Sequence, residues 1–208
     1  VKSIVTSELS EQLADVLNVK VYNVLTGFKY ISEILNDKSH SKEKLLLAFE
    51  ESNGYMAKPF VRDKDAIQIV PLIIKYKNLL YANNITLKDT LDDIYRTIGH
   101  YHSINLSPVF EGAEGQHKIE EIINSFRNKT IHQVCGLDVK AIEDYQLGTI
   151  ENIESGEKDA TYLPNTNLIR LIFDEGFIAI RPSGTEPKIK IYFSLNVNNI
   201  ENLIKEFK

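Results

Sequence analysis

Three apolar runs follow one another between residues 167 and 194, in the strings "NLIRLIF", "GFIAIRP" and "KIKIYFS". Only Asp174 and Glu175, with Gly176 behind them, separate the first two. A connection that short closes an antiparallel hairpin, since a parallel pair needs a crossover of a dozen or more residues. The third run then extends the same sheet, and the end of the chain is committed to antiparallel β-structure. Along the last two runs the alternation sets Phe177, Ala179 and Arg181 against Ile189, Ile191 and Phe193, which predicts one buried face.

Between those two runs lies "RPSGTEPKIK", residues 181–190, held by strands at both ends. Gly184 permits a positive φ or a close backbone approach, Ser183 and Thr185 bring hydroxyls, and successive amides can line an anion-binding nest. Arg181 offers a planar fork matched to phosphate oxygens, with Lys188 or Lys190 as a point charge. Hydrogen bonds to charged groups contribute roughly 1.5–3 kcal/mol each, so three or four together can hold a phosphate dianion. The competing reading is a surface turn with solvated charges around it.

Upstream, residues 1 to about 82 alternate short apolar runs with helical spacing, the pattern of βαβ units and a largely parallel sheet. "SIVTS", "VKVYNVL" and "LLLAF" read as strands, and Leu9, Leu13, Val16 and Leu17 as one helix face. A helix over 65–81 contains Pro71 and should bend there or begin later. Thr86 caps a cleaner helix that ends at Gly99. The non-periodic, glycine-containing stretch 99–116 marks a change of organisation, taken as a linker over 106–118 between domains at 1–105 and 119–208. In the second domain, "TIHQVCGL" reads as a strand, about 150–166 as irregular, and Ile200, Leu203, Ile204 and Phe207 as a closing helix. The fold class is an α/β domain, with a mixed, largely parallel sheet and helices on both faces, followed by a smaller α+β domain on an antiparallel sheet.

No apolar run approaches the roughly 20 residues of a membrane helix, and Cys135 is the only cysteine, so no internal disulfide forms. A net charge of -5 and a pI of about 5.6 argue against nucleic acid as the main partner. These features fit a soluble, cytoplasmic chain. Val1 enters a strand-like run without an initiating methionine, which reads as an excised piece. His100 and His102 have the wrong spacing for one helix face and lack a third ligand, and Cys135 reads as a small buried hydrophobe.

"RPSGTEPKIKIYFS" resembles the phosphate-binding loop in the last domain of the α-D-phosphohexomutases, the phosphoglucomutase and phosphomannomutase family. "TGFKYI" at 26–31, "FEESNGYMAKPFVRDKDAI" at 49–67 and "EGAEGQHKIEEIINSFR" at 111–127 resemble the family in the same order. The resemblance implies the family's third domain, incomplete at its start, and its fourth, a TATA-box-binding-protein-like domain. It further implies that Arg181, Ser183, Gly184, Thr185 and Lys190 bind substrate phosphate. Glu50 and Ser52 would grip sugar hydroxyls, with Ala48 where a glycine is common, while Lys29, Arg62 and Lys64 enter the active site. A carboxylate that accepts and a hydroxyl that does both suit a polyol. Read without the resemblance, Glu50 belongs to an acidic cap, Lys29 to a solvated helix face, and "VRDKDA" to a helix N-terminus.

The family's "T-A-S-H-N-P" phosphoserine loop and "D-x-D-x-D" Mg2+ loop do not occur in this sequence. The resemblance therefore implies that nucleophile, Mg2+ and a glucose 1,6-bisphosphate-type activator act with N-terminal domains missing here. This chain would recognise the hexose phosphate without transferring the phosphoryl group. Alternatives are a mutase of pentose or glucosamine phosphate, although Glu51 stands where amino-sugar enzymes tend to carry glutamine, or a non-catalytic sugar-phosphate module.

Overall fold

The computed structural model describes residues 1–40, 42–112, 114–184 and 186–207. The chain forms two compact units, Val1–His100 and Tyr101–Lys208. The first contains β1 (Lys2–Ser3), α1 (Leu9–Val16), β2 (Asn23–Val24), α2 (Phe28–Asn36), β3 (Ala48–Phe49), β4 (Tyr55–Met56), α3 (Ile69–Ala82) and α4 (Leu87–Ile98). Its sheet runs β2-β1-β3-β4, with β1 parallel to both neighbours and β4 antiparallel to β3. Crossovers of the βαβ kind bury both faces of such a sheet. On one face Val24, Ala48 and Met56 pack with Phe28 and Ile31 of α2. Lys2 is paired across the sheet with Asn23 and Phe49 on the opposite face. There its side chain, 2% exposed, meets Glu11 of α1 with the ammonium at 2.9 Å.

The strands are shorter than the apolar runs suggest: of "LLLAF" only Ala48 and Phe49 pair in the sheet, and Leu46 and Leu47 are exposed. The helix expected over 65–81 begins later. A 3-10 turn at Ala66–Gln68, capped by Asp65, precedes α3. Pro71 thus falls in the first turn of α3, where its missing N–H has no intrahelical acceptor to lose. Thr86 caps α4 as expected, in a reciprocal capping box with Asp89, and Gly99 closes the helix at φ 109°.

The second unit contains β5 (Tyr101–Leu106), α5 (Gly115–Arg127), β6 (Gln133–Val134), β7 (Leu137–Asp138), β8 (Ala141–Asp144), β9 (Thr149–Asn152), β10 (Lys158–Ala160), β11 (Ile169–Phe173), β12 (Gly176–Pro182), β13 (Ile189–Asn196) and α6 (Ile200–Phe207). A wholly antiparallel seven-stranded sheet runs β10-β9-β8-β11-β12-β13-β5. Its helix-facing side buries Ile169, Leu171, Ile178, Ile180, Ile189 and Phe193 with Ile119 and Ile123 of α5 and Leu203 of α6.

Several expectations change here. β5 lies inside the stretch 99–116 that reads as a linker, where the alternation of Ile104 and Leu106 on one face is obscured by polar neighbours. The irregular region 150–166 holds β9 and β10, whose polar composition suits a sheet edge. "TIHQVCGL" is a two-strand hairpin, β6 and β7, not one strand. Cys135 (φ 49°) and Gly136 (φ 78°) form its two-residue turn, with both residues left-handed. The cysteine is half-buried against the core. The register also corrects the expected pairing. Ile189, Ile191 and Phe193 oppose Pro182, Ile180 and Ile178, while Ala179 and Arg181 oppose Tyr192 and Lys190. Both faces are buried, since Phe177, Ala179, Tyr192 and Ser194 are each no more than 2% exposed.

Candidate functional site

In the second unit, residues 183–188 span the mouth of the β12–β13 hairpin. The loop is closed at its base by the Pro182–Ile189 pair and by the Ser183 N–H, which donates to the Lys188 carbonyl at 2.8 Å. A second seam fixes its other side. Phe110 N–H donates to the Pro187 carbonyl (2.8 Å), Ile189 N–H donates to the Pro108 carbonyl (3.1 Å), and Val109 bridges Lys188. The base of the loop and its Pro187–Ile189 limb are thus held on both sides, which lowers the ordering entropy a ligand would otherwise meet.

Arg181 and Lys190 are direct cross-strand partners on one sheet face, both half-buried. Like charges in that position repel. Among the described residues neither has a carboxylate within ion-pair distance, whereas Lys188 is paired with Glu186 at 2.5 Å. The hydrogen bond from Lys188, followed by the charges of Lys188 and Lys190, holds the Glu186 carboxyl below its usual range. Arg181 Nε–H donates to the Tyr192 hydroxyl at 3.1 Å. Gly184 does not adopt a left-handed φ, and a Cβ there would meet nothing within 4 Å, so of its two expected uses only close approach of a ligand survives. Thr185, expected in the same loop, lies outside the described residues.

In the first unit, Glu50 follows β3 and sits in the tight β3–β4 connection, where its N–H donates to the Gly54 carbonyl (2.8 Å) and Asn53 takes φ 55°. Its carboxylate Oε1 accepts the Gly27 N–H at 2.6 Å, at the N-terminus of α2, where the helix dipole favours negative charge. Glu50 is therefore a cap, though of the helix before it in the chain. Glu51 accepts the Ser3 hydroxyl (2.8 Å), and Ser52 is exposed beside them. Gly54 keeps this corner open: a Cβ would come to 3.0 Å from Glu50 Oε2 and 3.4 Å from the Phe28 ring, so the carboxylate would have to shift.

Lys64 reaches back toward the same place, with its ammonium 5.8 Å from the Phe28 ring centre. The segment "VRDKDA" is a helix start only at its end, where Asp65 caps the 3-10 turn that leads into α3, while Asp63 accepts the N–H of the adjacent Lys64. Before that, residues 61–63 form an exposed bend pinned by the Ser32 hydroxyl, which donates to the Arg62 carbonyl. The Arg62 guanidinium donates to the Pro59 carbonyl, and the Lys29 ammonium lies over the Tyr30 ring at 4.6 Å. The structure thus gathers Gly27, Glu50, Gly54, Phe28 and Lys64 at one end of the first sheet, with Lys29 exposed on the flank.

A cavity of about 780 Å3 opens elsewhere in this unit, walled by Leu13, Leu17, Val19, Leu35 and Leu45; of the expected residues only Arg62 lines it. Ser10, Asn18, Tyr22, His40 and Glu43 add polar groups to that lining. His100 stacks on Tyr95 with ring centres 4.1 Å apart, and His102 lies in β5 opposite Leu195. Among the described residues no three His, Cys, Asp or Glu side chains gather as a metal site would require. No carboxylate cluster among the described residues would by itself hold Mg2+.

Two contributors escape a reading of the sequence. The 108–110 seam is invisible because backbone pairing at a strand end leaves no side-chain pattern. Tyr192 reads only as one more core aromatic in "KIKIYFS". The register Ala179–Tyr192, two residues from Arg181–Lys190, is what brings its hydroxyl to the guanidinium.

Residues 1–98 match the domain described as phosphoglucomutase/phosphomannomutase, alpha/beta/alpha domain III. The whole chain is 56% identical over 209 residues to a phosphoglucomutase of Staphylococcus saprophyticus, and covers 38% of that protein. It is 46% identical over 206 residues to a phosphoglucomutase of Staphylococcus aureus strain MSSA476, covering 99% of this chain and 37% of that protein. The chain therefore spans under two-fifths of the length of these relatives. Among solved structures, the exocytosis-sensitive phosphoprotein pp63/parafusin of Paramecium, a phosphoglucomutase, superposes with TM-score 0.66 at 19% identity over 99% of this chain and 35% of its own. A phosphomannomutase-like protein of Thermus thermophilus gives TM-score 0.59 at 15% identity, over 99% of this chain and 34% of its own. At those identities the two structures speak for the fold alone.

Proposed function

Because residues 1–98 match the family's domain III and the chain is 56% identical to a phosphoglucomutase over its matched length, we propose that it belongs to the phosphoglucomutase/phosphomannomutase family and recognises the substrate of an isomerase interconverting hexose 1-phosphate and hexose 6-phosphate, with glucose or mannose as the hexose. Each unit carries one anchor. Arg181, Ser183, Gly184, Thr185 and Lys190 bind phosphate, and Glu50 and Ser52 bind sugar hydroxyls. Lys64, close to Glu50 through Phe28, adds positive charge on the sugar side, with Lys29 and Arg62 as further contacts.

What supports this most is the cross-strand placement of Arg181 beside Lys190. Two cations set opposite one another in a half-buried position are unfavourable in the free protein. A phosphate dianion between them turns that repulsion into two charge-assisted interactions. Strand pairing at the loop's base, with Pro187–Ile189 held on both sides, keeps the backbone of the cations in place when phosphate leaves. A mutase meets its substrate with phosphate at either end, and a fixed anion site serves whichever phosphate is not reacting. The phosphoserine, Mg2+ and a bisphosphate activator belong, in this reading, to further domains of the longer protein. The metal would neutralise charge on the transferred group.

Titration of the isotope-labelled chain with glucose 1-phosphate, followed by NMR, tests the assignment. The amides of residues 181–190 are expected to shift first. Arg181→Ala removes up to two charge-assisted bonds of roughly 1.5–3 kcal/mol each and weakens binding at least tenfold. Shifts confined to other residues, or unchanged affinity in Arg181→Ala, refute the assignment.

A further inference from the structure

The phenol of Tyr192 is 2% exposed, yet its oxygen accepts the Nε–H of Arg181 at 3.1 Å, with the guanidinium carbon 5.9 Å from the ring centre. The sheet register makes this contact possible. Tyr192 opposes Ala179 on β12 and Asn105 on β5, so the two positions directly beside the ring are short. Arg181 stands two residues further along the same face, within reach of a diagonal cross-strand contact.

A guanidinium presents two bidentate edges to an oxyanion: the side edge, made by Nε and one Nη, and the end, made by the two Nη groups. The Tyr192 hydroxyl occupies the first. We propose that Tyr192 is a positioning residue for the phosphate site, committing Arg181 to end-on binding through its two Nη groups and holding it in place against the charge of Lys190. This inference rests on the reading of 181–190 as a phosphate loop. The physical content is preorganisation: a long, flexible side chain facing a like charge swings away unless something fixes its orientation, and a buried hydroxyl is a rigid tether. Arg181 shows no ion pair among the described residues, which leaves the tyrosine as the one side-chain tether assigned to its Nε–H.

The test uses inorganic phosphate and glucose 1-phosphate as probes on the chain carrying Tyr192→Phe, alone and combined with Arg181→Lys. Loss of one orienting hydrogen bond is expected to weaken both probes about five- to tenfold. The melting transition checks that the fold persists. The Arg181 Nε–H resonance should be slow to exchange in the parent chain and become fast-exchanging in Tyr192→Phe, which a role in core packing alone would not produce. In the Arg181→Lys background, where no Nε–H fork exists, Tyr192→Phe should add nothing. Equal weakening in both backgrounds overturns the proposal, because the tyrosine then acts through the fold. Parent-like affinity in Tyr192→Phe, with binding lost in Arg181→Ala, overturns the positioning role and leaves the phosphate loop standing. Undiminished binding in Arg181→Ala overturns both.

Discussion

Replacement of Asp144 by alanine should unfold the second unit more than any surface change, and the geometry says by how much. Asp144 and Arg127 form an ion pair at 2.8 Å with side chains 7% and 9% exposed. The same carboxylate accepts the N–H groups of Gln146 (2.9 Å) and Leu147 (3.2 Å), so it organises the β8–β9 turn while clamping the last turn of α5. After truncation, Arg127 keeps only the Asn167 side-chain oxygen at 2.6 Å and remains a nearly buried cation without a counter-charge. Breaking one partner of such a pair costs about 3–5 kcal/mol. For a domain of roughly 100 residues that lowers the melting temperature by about 12 °C or more. The assay is urea and thermal denaturation followed by circular dichroism, with the paired substitution Arg127→Met and Asp144→Leu as control. Replacing both charges by apolar groups removes the orphaned cation and should restore most of the loss. A cost below about 1 kcal/mol for Asp144→Ala, the range of an exposed pair, would refute the reasoning.

Two further outcomes follow from the structure. Burial, reinforced by the Glu143 carboxylate, pushes the Tyr145 phenol far above its usual range. In the unfolded chain it ionises near pH 10, where the folded protein still holds the proton, so stability is intact below about pH 10 and falls as pH rises above it. Tyr145→Phe should flatten that alkaline decline, and an unchanged slope would count against it. Gly115→Ala sets two effects against each other: alanine gains up to about 1 kcal/mol of helix propensity. A Cβ there, however, would stand 2.0 Å from the Phe110 carbonyl oxygen, a backbone atom that cannot swing aside. The clash wins, costing about 1–3 kcal/mol. It also displaces Phe110 from Pro187, which faster hydrogen exchange at the Phe110 amide should report.

The β11–β12 hairpin and β13 after it were legible because their apolar runs are nearly continuous and only Asp174 and Glu175 separate the first two. The same holds for the cap at Thr86, since the hydroxyl and the carboxylate that answer it lie within four residues. β9 and β10 were not legible: strands at the polar edge of a sheet have little apolar face to advertise. The true partners of Ile189, Ile191 and Phe193 were also hidden, because alternation fixes which residues share a face within one strand and leaves the register between strands open.

For the site, the sequence alone determined the identity of the groups: which hydroxyls, cations and glycine stand in "RPSGTEPKIK", and that two carboxylates, Glu50 and Glu51, precede "SNG". Those are covalent facts about neighbours in the chain. Tertiary structure decided which of them face one another. It put Lys190, and not Lys188, across from Arg181, gave Lys188 to Glu186, set Glu50 on the N-terminus of α2, and brought Tyr192 and residues 108–110 against the loop. Those pairings depend on cross-strand register and on the burial of both sheet faces, and these are properties of the packed sheets, not of any segment taken separately.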